Sequence, residues 1–162
     1  MKRLLSLAFC AAIAFAEKKA IRPPTGPSAG PYSAGVMTEK FLYVSGHVGP
    51  EPGGGFAPGD VKTQTRRCLE LVGKVLKEAG LDYKSVVSTT LYLTDIRTLP
   101  AADSAYKETF GEKFAARVEI ESQLLIPEAL VEVSAIAVRN GDARNIQPEG
   151  WPKPAGVLAN GT

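Results

Sequence analysis

Residues 130–138 read Leu-Val-Glu-Val-Ser-Ala-Ile-Ala-Val, an alternation of side chains that is typical of a β-strand. The alternation puts Glu132 on the same strand face as Leu130 and Ile136. A carboxylate on a largely apolar strand face is costly unless another group pairs with it or a reaction uses it. Glu132 is therefore expected to belong either to a structural ion pair or to a functional site.

An arginine precedes this strand, in the segment Ala-Ala-Arg-Val-Glu-Ile at 115–120, which also reads as a late strand of the same domain. We predict that Arg117 lies on a strand neighbouring that of Glu132. There its guanidinium would either pair with the carboxylate or bind the carboxylate of a small ligand beside it. A small anionic-ligand site and a structural ion pair both remain open on these residues alone.

The first sixteen residues have the pattern of an export signal. Lys2 and Arg3 form a short positive region, residues 4–15 are mostly apolar, and Ala14-Phe15-Ala16 fits a small-x-small cleavage site. The apolar run is too short for a comfortable transmembrane span, so we expect no membrane attachment after cleavage. The predicted location is periplasmic or secreted, with the cytoplasm as the alternative if the signal is not functional.

Composition narrows the function classes. Loss of Lys2 and Arg3 with the signal would leave 17 basic residues against 17 acidic ones, which argues against a nucleic-acid or anionic-membrane surface. Cys68 would be the only cysteine left, so an intrachain disulfide is impossible. With one histidine and one cysteine, a metal site of the usual kind is not expected.

The remaining chain is organised as one domain at 30–139. Strands are predicted at 33–38, 41–48, 86–94 and around Arg117 and Glu132, and helices at 61–79 and 98–110. Asp60 is the expected N-cap of the first helix, and Cys68 falls on its apolar stripe, which favours core packing over reactivity. The order β-β-α-β-α-β-β predicts an α+β fold with two helices on one face of a single mixed sheet. Since no sequence remains to cover the other face, oligomerisation through it is expected.

Segments rich in proline and glycine lie on both sides of this domain. Residues 17–29 are predicted to form an extended N-terminal arm. Residues 140–162 weakly repeat the start of the chain. This tail is open to two interpretations, the remnant of a second copy or a disordered end.

Several motifs occur together in a specific order. They are Gly30-Pro31-Tyr32-Ser33, Phe41-Leu42-Tyr43-Val44-Ser45-Gly46, Thr63-Gln64-Thr65-Arg66, Tyr92-Leu93-Thr94-Asp95, Ala116-Arg117 and residues 130–139. With these motifs the chain resembles the RidA (reactive intermediate deaminase A, YjgF-like) family over about residues 30–139. The resemblance implies a chorismate-mutase-like homotrimer around a central barrel, with sites in clefts between subunits.

The resemblance also implies an activity and a set of site residues. The family hydrolyses reactive enamine and imine acids, such as 2-aminoacrylate/2-iminopropanoate and 2-iminobutanoate, to 2-oxo acids and ammonia, and it needs no cofactor. By resemblance, Arg117 would bind the substrate carboxylate and Glu132 would position or activate the attacking water. The other residues matched to the substrate site are Tyr32, Ser45, Gly46 and Asp103, the last where the family often has asparagine.

Two further functions are weighed against deamination. Asp103, Glu119 (where the family often has a cysteine or another small or apolar residue) and the export signal favour a non-catalytic ligand-binding or stress-protective protein that uses the same clefts. A ribonuclease or translation inhibitor ranks last, because the mature charge is near neutral and no basic aromatic stripe is present. His47, where glutamine is common in the family, is expected to pack or to lie on the surface.

Overall fold

The computed structural model describes residues 18–24, 31–111, 114–139, 146 and 149–150. In this part the chain forms six strands and two α-helices: β1 (Lys19–Ile21), β2 (Gly35–Met37), β3 (Phe41–Val48), α1 (Val61–Glu78), β4 (Val86–Leu93), α2 (Leu99–Phe110), β5 (Ala116–Glu121) and β6 (Val131–Val138). The predicted signal at 1–16 and nearly all of the predicted tail at 140–162 lie outside the described residues.

One mixed sheet carries the fold, in the strand order β1-β2-β3-β6-β4-β5. All pairings are antiparallel except β4 with β5, which run parallel and are connected through α2. Both helices pack on one face of the sheet, with α1 across β3 and β6 and α2 against α1. The predicted α+β class is confirmed. β1 is an addition, because part of the predicted N-terminal arm pairs with β2 as an edge strand.

Local chemistry sets the start of α1 and the ends of both helices. The Asp60 carboxylate accepts a hydrogen bond from the Thr63 amide at 2.9 Å and so caps α1 as predicted. Gly80 after α1 and Gly111 after α2 have φ values of 73° and 65°, a conformation that side chains other than glycine rarely adopt. Within the described ranges, neither helix is long and apolar enough to cross a bilayer.

Cys68 belongs to the core, as its place on the apolar stripe of α1 predicted. The residue is fully buried, and its thiol donates to the Val131 carbonyl oxygen at 3.5 Å. Burial raises the pKa of the Cys68 thiol, and the negative charge of Glu132 raises it further. A thiol held protonated in this way is a packing group and not a nucleophile.

Gln64 is a buried polar side chain that the helical pattern did not identify. It is 0% exposed and connects three backbone groups of two loops. Its Nε2 donates to the carbonyl oxygens of Ala57 at 3.0 Å and Glu128 at 3.1 Å, and its Oε1 accepts from the Leu130 amide at 2.8 Å. The amide therefore fixes the loop before α1 to the start of β6, the strand that carries Glu132.

Replacing Gln64 with leucine is expected to lower the free energy of unfolding by about 3 kcal/mol, because three backbone groups would lose their partner in a site without water access. Urea unfolding measures the loss. Gln123→Leu is the matched control, since this glutamine is exposed and should change stability little. A loss below about 1 kcal/mol at Gln64 would show that the loops find other partners.

The face of the sheet away from the helices leaves large apolar side chains exposed in the single chain. Phe41 and Tyr43 of β3 are 39% and 47% exposed, and Val118 and Ile120 of β5 are 53% and 37% exposed. Several large apolar side chains exposed on one face are typical of an interaction surface. We call this surface, formed by the outward side chains of β3, β6, β4 and β5, the open face.

Candidate active site

Glu132 lies on the open face, as the alternation of its strand predicted. Val131 and Val133 on either side of it are fully buried against the helices. In β3 the pairing with β6 is interrupted by a bulge between Val44 and His47, and Gly46 lies in this bulge. A Cβ atom at Gly46 would overlap the Glu132 carboxylate, so this glycine provides the space that the carboxylate occupies.

The segment before β2 is attached to the same place. The Ser45 hydroxyl donates to the Ser33 carbonyl oxygen at 2.6 Å, and the Ser45 amide donates to the Ala34 carbonyl oxygen at 3.0 Å. Tyr32, the residue before Ser33, is 53% exposed. The structure thus brings Ser45, Gly46 and Glu132 together and connects the Tyr32 segment to them by hydrogen bonds.

His47 faces the other side of the sheet and is buried. Its Nδ1 donates to the Ser45 carbonyl oxygen at 2.6 Å. Burial lowers the pKa of the His47 imidazole, and this hydrogen bond only partly offsets the effect. A neutral histidine in this position supports the bulge, which agrees with the packing role expected from the sequence.

The contact between Gly46 and Glu132 gives a testable expectation. Gly46→Ala should lower the activity that the resemblance implies about fivefold, because the added methyl group forces the carboxylate into another rotamer at a cost of about 1 kcal/mol. The measurement is kcat/KM for 2-oxo acid formation from imine acids, with thermal unfolding as a check on folding. Gly53→Ala is the matched control, since nothing lies within 4 Å of a Cβ at that glycine. Equal activity of the two variants would contradict a functional role for the position of the carboxylate.

Arg117 forms a second group of polar residues, on the helix face of the sheet. Its side chain is 1% exposed. Nε donates to Glu119 Oε1 at 2.5 Å, and Nη2 donates to Asp103 Oδ1 at 2.8 Å. The guanidinium carbon lies 4.7 Å from the centre of the Tyr106 ring, within the range of a cation–π interaction. Asp103, Tyr106, Arg117 and Glu119 are called the arginine cluster below.

Helix α2 supplies the support of this cluster. Asp103 and Tyr106 lie three residues apart and so on one face of the helix. The Tyr106 ring stacks on Phe110 with centroids 4.3 Å apart, and its hydroxyl shares a 2.8 Å hydrogen bond with Thr89. The position of Arg117 is therefore fixed by packing below and by two carboxylates beside it. Its Nη1 is buried and has no hydrogen-bond partner among the described residues.

The predicted adjacency of Arg117 and Glu132 is wrong for the single chain. Strand β4 lies between β5 and β6, so the two strands are not neighbours. Arg117 lies opposite Thr89 of β4, and Glu132 lies opposite Tyr92 of the same strand. Thr89 and Tyr92 are three residues apart, so their side chains point to opposite faces of the sheet. The side chains of Arg117 and Glu132 therefore also point to opposite faces. The ion pairs of Arg117 are with Asp103 and Glu119 instead. Glu132 forms no ion pair or side-chain hydrogen bond with other described residues.

Glu119 and Tyr106 are the members of the arginine cluster that the sequence did not assign to the site. The two-residue spacing of Arg117 and Glu119 on one strand places both on one face. The contact of Tyr106 with Arg117 depends on how α2 packs over β5, which the sequence pattern does not show.

The comparisons with known proteins agree with this fold. The family described as Endoribonuclease L-PSP, which includes the YjgF and RidA proteins, matches residues 24–139. The chain belongs to this family. The resemblance to RidA proteins is thereby confirmed.

Among the relatives of this family member is the goat (Capra hircus) protein named 2-iminobutanoate/2-iminopropanoate deaminase. It is 36% identical over 124 residues, which are 75% of this chain and 90% of the goat protein. A RutC family protein of Pyrococcus abyssi is 37% identical over 111 residues, 68% of this chain and 87% of the relative.

Solved structures of RidA-type chains superpose on it. The YjgF gene product of E. coli has a TM-score of 0.70 at 32% identity and covers 75% of this chain and 99% of its own. E. coli TdcF, solved with bound serine, has a TM-score of 0.69 at 29% identity with the same coverage.

Among the residues that the structure describes, no three histidine, cysteine, aspartate or glutamate side chains are grouped so that they could hold a metal ion.

Proposed function

We propose that the protein hydrolyses reactive 2-imino acids and their enamine tautomers to 2-oxo acids and ammonia. The observation that supports this best is the Glu132 carboxylate, which lies beside Gly46 and has no ion-pair partner among the described residues, in a chain 36% identical to goat and cattle proteins named 2-iminobutanoate/2-iminopropanoate deaminase. The substrates proposed are 2-iminobutanoate and 2-iminopropanoate, the latter formed from 2-aminoacrylate.

The chemistry requires little more than a positioned water and a proton acceptor. The carbon of a protonated imine is electrophilic, and Glu132 would take a proton from water as the water oxygen bonds to that carbon. The C–N bond of the resulting amino alcohol then breaks, ammonia leaves, and the C=O bond of the 2-oxo acid forms. One water is consumed for each ammonia released. Base assistance of this kind contributes ~10²–10⁴-fold.

Arg117 is proposed to bind the substrate carboxylate. Its unpartnered Nη1 is the nitrogen left for a ligand, because Nε and Nη2 already donate to Glu119 and Asp103. Since Nη1 is buried in the single chain, neighbouring side chains must move for a ligand to reach it. Burial without a partner is costly, so a ligand oxygen at Nη1 would be stabilised.

The sites are proposed to lie between subunits of a homotrimer. Arg117 and Glu132 point to opposite faces of one sheet, so a single subunit cannot place both on one small ligand. The open face supports the assembly, since Phe41, Tyr43, Val118 and Ile120 present an apolar surface suited to another copy of the chain. Each site would then combine Glu132 of one subunit with Arg117 of the next.

Mixed assemblies test this arrangement. Glu132→Gln and Arg117→Lys variants should each be nearly inactive, and their co-refolded mixture should recover about a quarter of the parental activity, because random pairing makes one site in four intact. Separately refolded and then combined samples are the control for simple mixing. A mixture no more active than its components would contradict shared sites.

The decisive assay is 2-oxo acid release from freshly generated 2-aminoacrylate and 2-iminobutanoate. Acceleration over spontaneous hydrolysis is expected, and no acceleration by the folded protein would refute the deaminase function for these substrates. In that case the acidic groups around Arg117 would favour the second candidate, ligand binding without turnover. Titration with a labelled RNA at two salt concentrations tests the third candidate function, that of a ribonuclease or translation inhibitor. No salt-dependent binding is expected.

We propose that the reaction takes place in the periplasm or outside the cell. Residues 1–16 support this through their positive start, apolar run and small-x-small end. N-terminal sequencing of protein recovered from a cell fraction tests it, with Glu17 as the expected first residue. A chain that retains Met1 in the cytosolic fraction would contradict export.

A further inference from the structure

Two partly exposed acidic side chains hold the buried guanidinium of Arg117. The Asp103 side chain is 25% exposed and the Glu119 side chain 19%, whereas that of Arg117 is 1% exposed. A ligand bound at the arginine would therefore lie close to both carboxylates. The guanidinium and both carboxylates together carry one net negative charge.

The cluster is also incomplete as a structural ion network. Arg117 Nη1 is buried and donates no hydrogen bond within the described part of the chain. The other two nitrogens, Nε and Nη2, donate to Glu119 and Asp103. A purely structural ion pair is expected to satisfy its buried donors. The unused N–H groups point to a ligand acceptor that the chain itself does not supply.

A substrate whose only charge is a carboxylate is poorly matched to this cluster. Its carboxylate would accept from Nη1 close to the two carboxylates that already bind the arginine, and these like charges repel it. A second, positively charged group on the same substrate would be attracted to these carboxylates. The carboxylate of such a substrate would accept a hydrogen bond from Nη1, and its cation would balance the net negative charge of the cluster.

We propose that Asp103 and Glu119 determine substrate charge, and that the preferred substrates are 2-imino acids whose side chain ends in a cation. The inference rests on the proposed deaminase function and specifies its substrate class. Such imines arise when amino acids with basic side chains are oxidised at the α-carbon. 2-Iminobutanoate, which has no such cation, would be a poorer substrate.

Imines of arginine and citrulline provide a matched pair of substrates. Both are generated in the assay from the amino acid by an amino acid oxidase, and their side chains have nearly the same shape but differ by one positive charge. The parent protein should show kcat/KM for the arginine-derived imine on the order of tenfold above that for the citrulline-derived imine, as expected for one partly solvated charge pair.

Two variants that each replace a carboxylate with a neutral amide test the origin of this preference. Glu119→Gln and Asp103→Asn should each reduce the ratio towards one, and should raise kcat/KM for 2-iminobutanoate because the arginine is freed. Glu121→Gln is the control, since it removes the same charge from an exposed position two residues along the same strand. A ratio near one in the parent, or an unchanged ratio in both variants, would overturn the proposal.

Binding of the stable 2-oxo acids of arginine and citrulline, measured by calorimetry, separates this inference from the proposed function. If no imine is hydrolysed but the arginine-derived acid binds more tightly in the parent and not in Glu119→Gln, the deaminase proposal fails and the charge selection stands. If imines are hydrolysed without a charge preference, the selection fails and the function stands. Equal binding together with no hydrolysis rejects both, and leaves the cluster as a structural ion network.

Discussion

Replacing Glu132 with glutamine is expected to lower kcat/KM for imine hydrolysis by on the order of 10²–10⁴-fold, the usual contribution of a general base. Glutamine has nearly the same shape as glutamate and fits beside Gly46, but its amide cannot take a proton from water. The carboxylate forms no ion pair or side-chain hydrogen bond among the described residues, so its removal should leave stability almost unchanged. A large loss of activity without a loss of stability is the signature of a group that serves the reaction.

The measurement combines kcat/KM for 2-iminobutanoate with urea unfolding of the same preparation. Glu128→Gln is the matched control, because this glutamate is exposed and lies just before the same strand. A Glu132→Gln protein with parental activity would exclude the carboxylate as proton acceptor. Loss of stability comparable to the loss of activity would instead assign Glu132 a structural role.

Replacing Arg117 with methionine is expected to affect both stability and activity. The variant leaves Asp103 and Glu119 close together without the cation between them, and we expect a loss of about 3 kcal/mol in the free energy of unfolding. The two carboxylates retain some contact with water, which keeps the loss at the lower end of the range for a buried charge. Activity should fall on the order of 10²-fold beyond the effect of unfolding, because the substrate carboxylate loses its partner.

A compensated variant distinguishes the two effects. Arg117→Met combined with Asp103→Asn and Glu119→Gln removes all three charges, and it should recover most of the lost stability but none of the activity. Arg97→Met is the control for an ion pair in solvent, since the Arg97 side chain is 88% exposed and its pair with Asp95 should contribute little to stability. Recovery of activity by the triple variant would contradict carboxylate binding by Arg117.

The helices and their packing faces were predictable because each carries a regular apolar stripe and a recognisable end. Asp60 identified the start of α1, the predicted ranges 61–79 and 98–110 lie within one residue of the observed helices, and Cys68 was placed in the core by its position on the stripe. The alternation of β6 likewise gave the correct face for Glu132. These features depend on residues close together in sequence, where periodicity determines orientation.

The arrangement of the arginine cluster was not predictable in the same way. In β5 the charged residues Arg117 and Glu119 face the helices, and Val118 and Ile120 lie on the open face, which reverses the usual rule of apolar residues inside. The reversal is understandable because the helices cover one face of the sheet, while the apolar side chains on the open face are available for contacts with another copy of the chain. The strand order, which inserts β4 between β5 and β6, depends on long-range pairing that alternation does not encode.

The β4-α2-β5 connection gives the molecule a modular character. Asp103, Tyr106, Arg117 and Glu119 all lie within the single continuous stretch that forms α2 and β5. Gly46 and Glu132 lie on strands outside that stretch. Under the roles proposed here, recombination or directed evolution that exchanged this one segment would alter which substrates are accepted and leave the water-activating machinery untouched. Substrate recognition could then change between family members while the residues that activate water stay the same.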